Sequence, residues 1–175
     1  MTVSLFIATT LDGYIATTDD DLHWLFDVEG EGDNGYGAFY AGVDVVLMGK
    51  RTYDWLKREQ PDTWAYAGKM TYVLTRQKLA NSAEVQFISE QDLPDLVEKL
   101  KSKKQKLWVV GGGQVIRLFL ENGWVDELQI TVAPVLLGTG IPLFPSGAYA
   151  EKLQLLGSKN YGQFVELHYQ IKKED

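Results

Sequence analysis

The chain has 175 residues, with 17 Lys and Arg against 24 Asp and Glu for a formal net charge of −7, and 45% of its residues are hydrophobic. That is apolar material for one sizeable core in a single domain spanning residues 1–175, which excludes a disordered or fibrous chain; the acidic balance and the lack of a dense basic cluster exclude nucleic acid as a partner. With no cysteine, disulfides, thiolate nucleophiles and thiolate metal sites are excluded too, in keeping with a cytoplasmic setting.

Val3 to Ala8 is apolar on both faces and ends at Asp12-Gly13, which predicts a buried central strand. Residues 18–37 follow, with seven acidic residues and four glycines, and read as a mobile surface loop. Further strand-like runs are Val43 to Met48, Thr71 to Leu74 and Leu107 to Val110. Helical patterns separate them at Arg51 to Arg58, at Asp92 to Lys101 with Leu93, Leu96, Val97 and Leu100 on one face, and at Gln114 to Glu121. The alternation predicts an α/β domain with a mostly parallel central sheet. The last third changes character: Glu127 to Ala133, Glu151 to Ser158 and Gln163 to Lys172 read as strands without intervening helices, so an antiparallel C-terminal edge is expected. Pro134 to Gly147 is a long Gly/Pro-rich crossing. The apolar runs are too short to span a membrane, and no membrane association is expected.

Two junctions carry the chemistry. In Val109-Val110-Gly111-Gly112-Gly113-Gln114-Val115 a strand runs through three glycines into a helix. Residues without Cβ let backbone N–H groups approach a ligand, and a helix N-terminus favours an anion. In Leu47-Met48-Gly49-Lys50-Arg51-Thr52 two cations and a hydroxyl occupy the first helical turn, where the helix dipole disfavours cations, so a bound polyphosphate explains them better than local helix stability. Taken singly, a plain tight turn and a solvated basic pair remain the alternatives; the pairing of two such junctions at the carboxyl ends of one sheet points to a nucleotide. Arg76 follows Leu74-Thr75 at the end of another strand, and Lys50 with Arg76 could hold a ribose 2′-phosphate. With only His23 and His168 present, neither a Ser-His-Asp triad nor a multi-histidine metal site has material, and no metal is expected.

Five segments in order, Ile7 to Ala16, Met48 to Tyr53, Val73 to Arg76, Val110 to Val115 and Pro134 to Phe144, resemble the dihydrofolate reductase superfamily, and within it the RibD C-terminal domain family of riboflavin-biosynthesis reductases. The resemblance implies a three-layer α/β/α fold and an NADPH-dependent reductase. Ala8 and Ile15 would flank the nicotinamide; Gly49, Lys50, Arg51 and Thr52 with Gly111, Gly112, Gly113, Gln114 and Val115 would bind the pyrophosphate region; Leu74, Thr75 and Arg76 would hold the adenosine end. It also implies a cis peptide between Gly111 and Gly112, and a homodimer.

The expected substrate is a small heterocycle, of the pyrimidine, pterin or ribosylamino type, reduced by hydride transfer. Phe6, Trp24 and Phe26 are its expected stacking wall, with core packing the alternative for each, and Thr131 is expected beside it. Asp21, in Asp21-Leu22-His23-Trp24-Leu25, or water is the expected proton donor. That segment stands closer to Ile15-Ala16 than the acidic segment of classical dihydrofolate reductases does, and Ile116 replaces the usual aromatic hydroxyl after the glycine turn. A genuine dihydrofolate reductase, or a non-catalytic nucleotide sensor, are the alternative readings.

Overall fold

The computed structural model describes residues 1–174. Its elements are β1 (Thr2–Thr10), β2 (Tyr14–Ala16), α1 (His23–Phe26), α2 (Tyr36–Ala41), β3 (Val45–Gly49), α3 (Lys50–Glu59), β4 (Met70–Leu74), β5 (Val85–Ile88), α4 (Leu93–Ser102), β6 (Lys106–Gly111), α5 (Gly113–Glu121), β7 (Glu127–Ala133), β8 (Ile141–Pro142), β9 (Leu153–Tyr161) and β10 (Phe164–Ile171). Eight strands form one sheet in the order β5-β4-β3-β6-β1-β7-β10-β9, while β2 and β8 pair separately. From β5 through β7 every pairing is parallel, and β10 and β9 add an antiparallel edge.

The strand runs lack polar alternation because both faces of the sheet are covered. Val45 and Leu47 pack with the buried faces of α4 and α5, whereas Val46 and Met48 pack with Phe39, Tyr66 and Trp108 on the opposite side. Helix α4 buries Leu93, Leu96, Val97 and Leu100, the face that the periodicity predicts. Its entry is fixed by Ser89, whose backbone N–H donates to Asp92 Oδ2 at 2.8 Å in a capping box. Helix α5 turns Val115, Ile116, Phe119 and Leu120 inward, and Phe119 is wholly buried. Burial of side chains of this size contributes about 1.5–3 kcal/mol each.

Residues 18–37 depart from the expected surface loop. They contain α1 and the start of α2, and Trp24 is buried with Ala133 and Phe164. The competing signal is apolar: Trp24, Leu25 and Tyr36 anchor the segment to the sheet despite its acidic and glycine-rich composition. The short strands β2, β5 and β8 also lie outside the sequence expectation. Among the described residues no helix is long and apolar enough to cross a membrane.

Candidate active site

The carboxyl ends of β3 and β6 are adjacent in the sheet, so the two glycine-bearing turns meet. Gly49 caps α3 and Gly112 caps α5, both without a side-chain cap, which leaves first-turn backbone N–H groups of two helices facing one space. A Cβ on Gly49 would stand 3.1 Å from Val115 Cγ2, and one on Gly113 would stand 2.5 Å from the Pro142 carbonyl oxygen. Gly111 has φ +135°, a conformation that glycine adopts readily, and the Gly111–Gly112 peptide is cis. Donor-rich turns, tight at Gly49 and Gly113 and free of side chains at Gly111 and Gly112, fit the diphosphate of a dinucleotide.

The turns open into a cleft of about 590 Å³, within the range of small-molecule sites. Twelve of the residues singled out from sequence line it: Phe6, Ala8, Ile15, Gly49, Lys50, Arg51, Thr52, Gly111, Gly112, Gly113, Gln114 and Val115. Pairing of β2 with β8 lays the Pro134–Gly147 crossing over the cleft, so that Pro142 and Pro145 close its α5 side. Asp12 holds that crossing. Its carboxylate accepts the Thr10 hydroxyl at 2.6 Å and the backbone N–H groups of Leu137 and Gly138 at 3.1 and 2.7 Å. The Thr10 hydrogen bond above all, joined by those from the crossing, keeps the Asp12 carboxyl below its ordinary pKa against the opposing effect of desolvation.

The cations are already oriented. Lys50 Nζ lies 2.5 Å from Asp54 Oδ1, one turn along α3. Arg51 Nε donates to Asp20 Oδ2 at 2.9 Å, and the Trp55 indole donates to the Asp20 carbonyl at 3.1 Å. These contacts tie the segment before α1 to α3 across the mouth of the cleft. Leu74, Thr75 and Arg76 stand one strand further out, with Leu74 paired to Gly49; Arg76 is exposed, and none of the three lines the cleft.

Asp21 does not line the cleft. Its Oδ1 accepts the His23 backbone N–H at 2.7 Å and contacts His23 Nδ1, closing the turn into α1. The backbone bond, then the imidazole, lower the Asp21 pKa, while the Asp21 hydrogen bond raises that of His23. Asp20 takes the place on the cleft wall that was expected of Asp21. Trp24 is likewise core rather than wall, only 8% exposed beside Ala133 and Phe164. Phe26 and Thr131 line a second hollow of about 460 Å³, which shares Phe6, Ala8 and Leu25 with the cleft.

Two phenols were missed in the sequence. Tyr36 and Tyr66 line the cleft, with ring centroids 5.9 and 5.3 Å from that of Trp108. Burial, then Tyr40, pushes the Tyr36 pKa up to about 12, and burial, then Tyr36 and Tyr40, pushes that of Tyr66 up. Both therefore stay protonated at neutral pH and can donate. No periodic pattern marks either residue, and Trp108 reads from the sequence as strand core.

The family model of the RibD C-terminal domain matches residues 1–167. The protein YwjB of Bacillus subtilis (strain 168) is 42% identical over 166 residues, 94% of this chain and 95% of that protein. A solved structure from Shewanella sp. PV-4, named for riboflavin biosynthesis, is similar at TM-score 0.88 and 31% identity, covering 99% of this chain and 100% of that one. The Thermotoga maritima diaminohydroxyphosphoribosylaminopyrimidine deaminase/5-amino-6-(5-phosphoribosylamino)uracil reductase shares the fold at TM-score 0.70 and 15% identity, covering 98% of this chain and 56% of that one.

Proposed function

This chain belongs to the RibD C-terminal domain family, and on that premise we propose that it is an NADPH-dependent reductase of a flat pyrimidine, pterin or ribosylamino heterocycle. One observation carries the proposal: two uncapped helix N-termini at adjacent glycine turns open into an apolar cleft walled by Ala8, Ile15 and two phenols. Related proteins in solved structures are a reductase of 5-amino-6-(5-phosphoribosylamino)uracil and a protein named for riboflavin biosynthesis, which supports this substrate class.

When bound, NADPH supplies a hydride equivalent to a C=N or C=O carbon. The backbone N–H groups that begin α3 and α5 would hold its diphosphate, and Lys50 with Arg76, at the ends of neighbouring strands, would receive the 2′-phosphate. Ala8 and Ile15, apolar residues of the cleft wall, would flank the nicotinamide. Tyr66, or Tyr36 beside it, donates the proton that the reduced nitrogen or oxygen needs and recovers it from solvent. Arg51 and Asp20 position the segment that covers the cleft mouth.

The test is titration of the purified protein with NADPH and NADH, followed by energy transfer from tryptophan to nicotinamide. NADPH is expected to bind more tightly than NADH, and the Lys50→Ala/Arg76→Ala double variant to lose that preference. Failure of both nucleotides to bind at millimolar concentration would refute the reductase reading. Turnover of dihydrofolate in preference to ribosylaminopyrimidines would make the chain a folate reductase instead. We also propose a cytoplasmic homodimer. Supporting the dimer, β9 is an open sheet edge with Leu153, Leu155 and Leu156 exposed.

A further inference from the structure

On one face of the sheet the ladder registers place Phe6 beside Gln129, Ala8 beside Thr131, and Thr131 opposite Glu166. Directly opposed residues on neighbouring strands project to the same side and stand within contact distance. Glu166 is therefore next to Thr131, on the side where Thr131, Phe6 and Ala8 line the second hollow. It is only 6% exposed. Its Oε1 accepts a long 3.5 Å hydrogen bond from Gln129, and its Oε2 is buried with no partner at all. Among the described residues no lysine, arginine or histidine forms an ion pair with it.

A buried carboxylate oxygen without a donor is destabilising, and such groups are kept where a ligand completes them. The core needs no acid here: Phe164, two residues away on the same face of β10, is a buried apolar residue, and Tyr161 packs close by. The carboxylate lies beneath a glycine, next to the residues that line the hollow. Gly35, with φ +80°, lies above it, and a Cβ there would stand 3.7 Å from Glu166 Oε2 and 2.6 Å from the Tyr161 hydroxyl. The preceding Asn34 lines the hollow.

We propose that Glu166, with Thr131, is the acceptor end of the substrate subsite and recognises a heterocycle edge carrying two adjacent N–H donors, an amino-substituted or amidine-like ring. This rests on the reductase reading, because Phe6 and Ala8 line both the hollow and the cofactor cleft and so place that ring against the nicotinamide position. The hollow, about 460 Å³, accommodates a ring of one or two cycles. Glu166 is a binding residue here, and the proton comes from the cleft phenols.

Calorimetric titration of the full chain, saturated with NADPH, with 2,4-diaminopyrimidine and with uracil tests this assignment. The diamino ring is expected to bind at least tenfold more tightly than uracil. Glu166→Gln, which keeps the shape of the side chain, is expected to erase that preference while NADPH affinity and melting temperature hold. If Glu166→Gln does not fold, Thr131→Val is expected to weaken the diamino ring in the same direction. Equal binding of the two rings to the wild-type protein, or an undiminished preference in the variant, would overturn the assignment. Should NADPH itself not bind, the reductase reading falls separately, and the same two rings titrated without nucleotide decide on Glu166 by the same criterion.

Discussion

Gly112 and Gly113 are neighbours in the sequence, yet a methyl group at each should do different things. At Gly113 the new Cβ would sit 2.5 Å from the Pro142 carbonyl oxygen and 3.2 Å from Pro145 Cγ, whereas ordinary contact begins at 3.4 Å. The crossing must retreat by about 0.9 Å, and neither obstacle can rotate away, since one is backbone and the other a proline ring. Overpacking of this kind costs about 1–3 kcal/mol. At about 2–4 °C per kcal/mol for a domain of this size, Gly113→Ala should melt about 2–12 °C below the wild type. At Gly112 the nearest atom to a new Cβ is Thr52 Oγ1 at 3.8 Å, and φ is −78°. The fold has room there, so Gly112→Ala should stay within about 0.5 kcal/mol of the wild type. Its methyl group would occupy the approach of a diphosphate to the α5 N-terminus, and NADPH affinity should fall about tenfold or more, about 1.4 kcal/mol. Thermal melts and nucleotide titration of both variants check the pair. A wild-type melt for Gly113→Ala, or wild-type NADPH affinity for Gly112→Ala, would refute the separation of the packing glycine from the ligand glycine.

Tyr66→Phe is expected to lower turnover about 10²-fold or more, the scale of a lost general acid, with NADPH affinity unchanged; unaltered turnover in a Tyr36→Phe/Tyr66→Phe double variant would assign the proton to water. Asp12 has a folded pKa below the ordinary 3.8, so its contribution is present in full above that value and is lost as pH falls through the lowered one. Asp12→Asn should therefore melt lower than the wild type at pH 7, with the gap closing in acid; a gap that persists unchanged at low pH would remove the charge-based account of the crossing. Sedimentation is expected to show a dimer that Leu155→Lys dissociates if the β9 edge is its interface, and a dimer indifferent to that change would place the contact elsewhere.

Periodicity and junction chemistry were enough, without coordinates, to place the parallel strands β1, β3, β4 and β6, the helices α3 to α5, the antiparallel edge and the two glycine turns. These are local signals: alternation of burial, i to i+4 spacing and the lack of Cβ act within a few residues, so the chain itself carries them. That part of the cleft wall was legible for the same reason, because Gly49 to Thr52 and Gly111 to Val115 are contiguous segments that line it together. Which of Asp20 and Asp21 faces the cleft was not legible, since adjacent carboxylates differ only in which turn captures them: Asp21 closes onto His23, and Arg51 of α3 takes Asp20. Nor were Tyr36, Tyr66 and Glu166, which come from distant segments and acquire their character from burial against Trp108 or Thr131. Sequence by itself determined the layer architecture and the two glycine turns; tertiary structure alone decided which polar groups are desolvated and aimed at one space, because desolvation is a property of the surroundings and not of the residue.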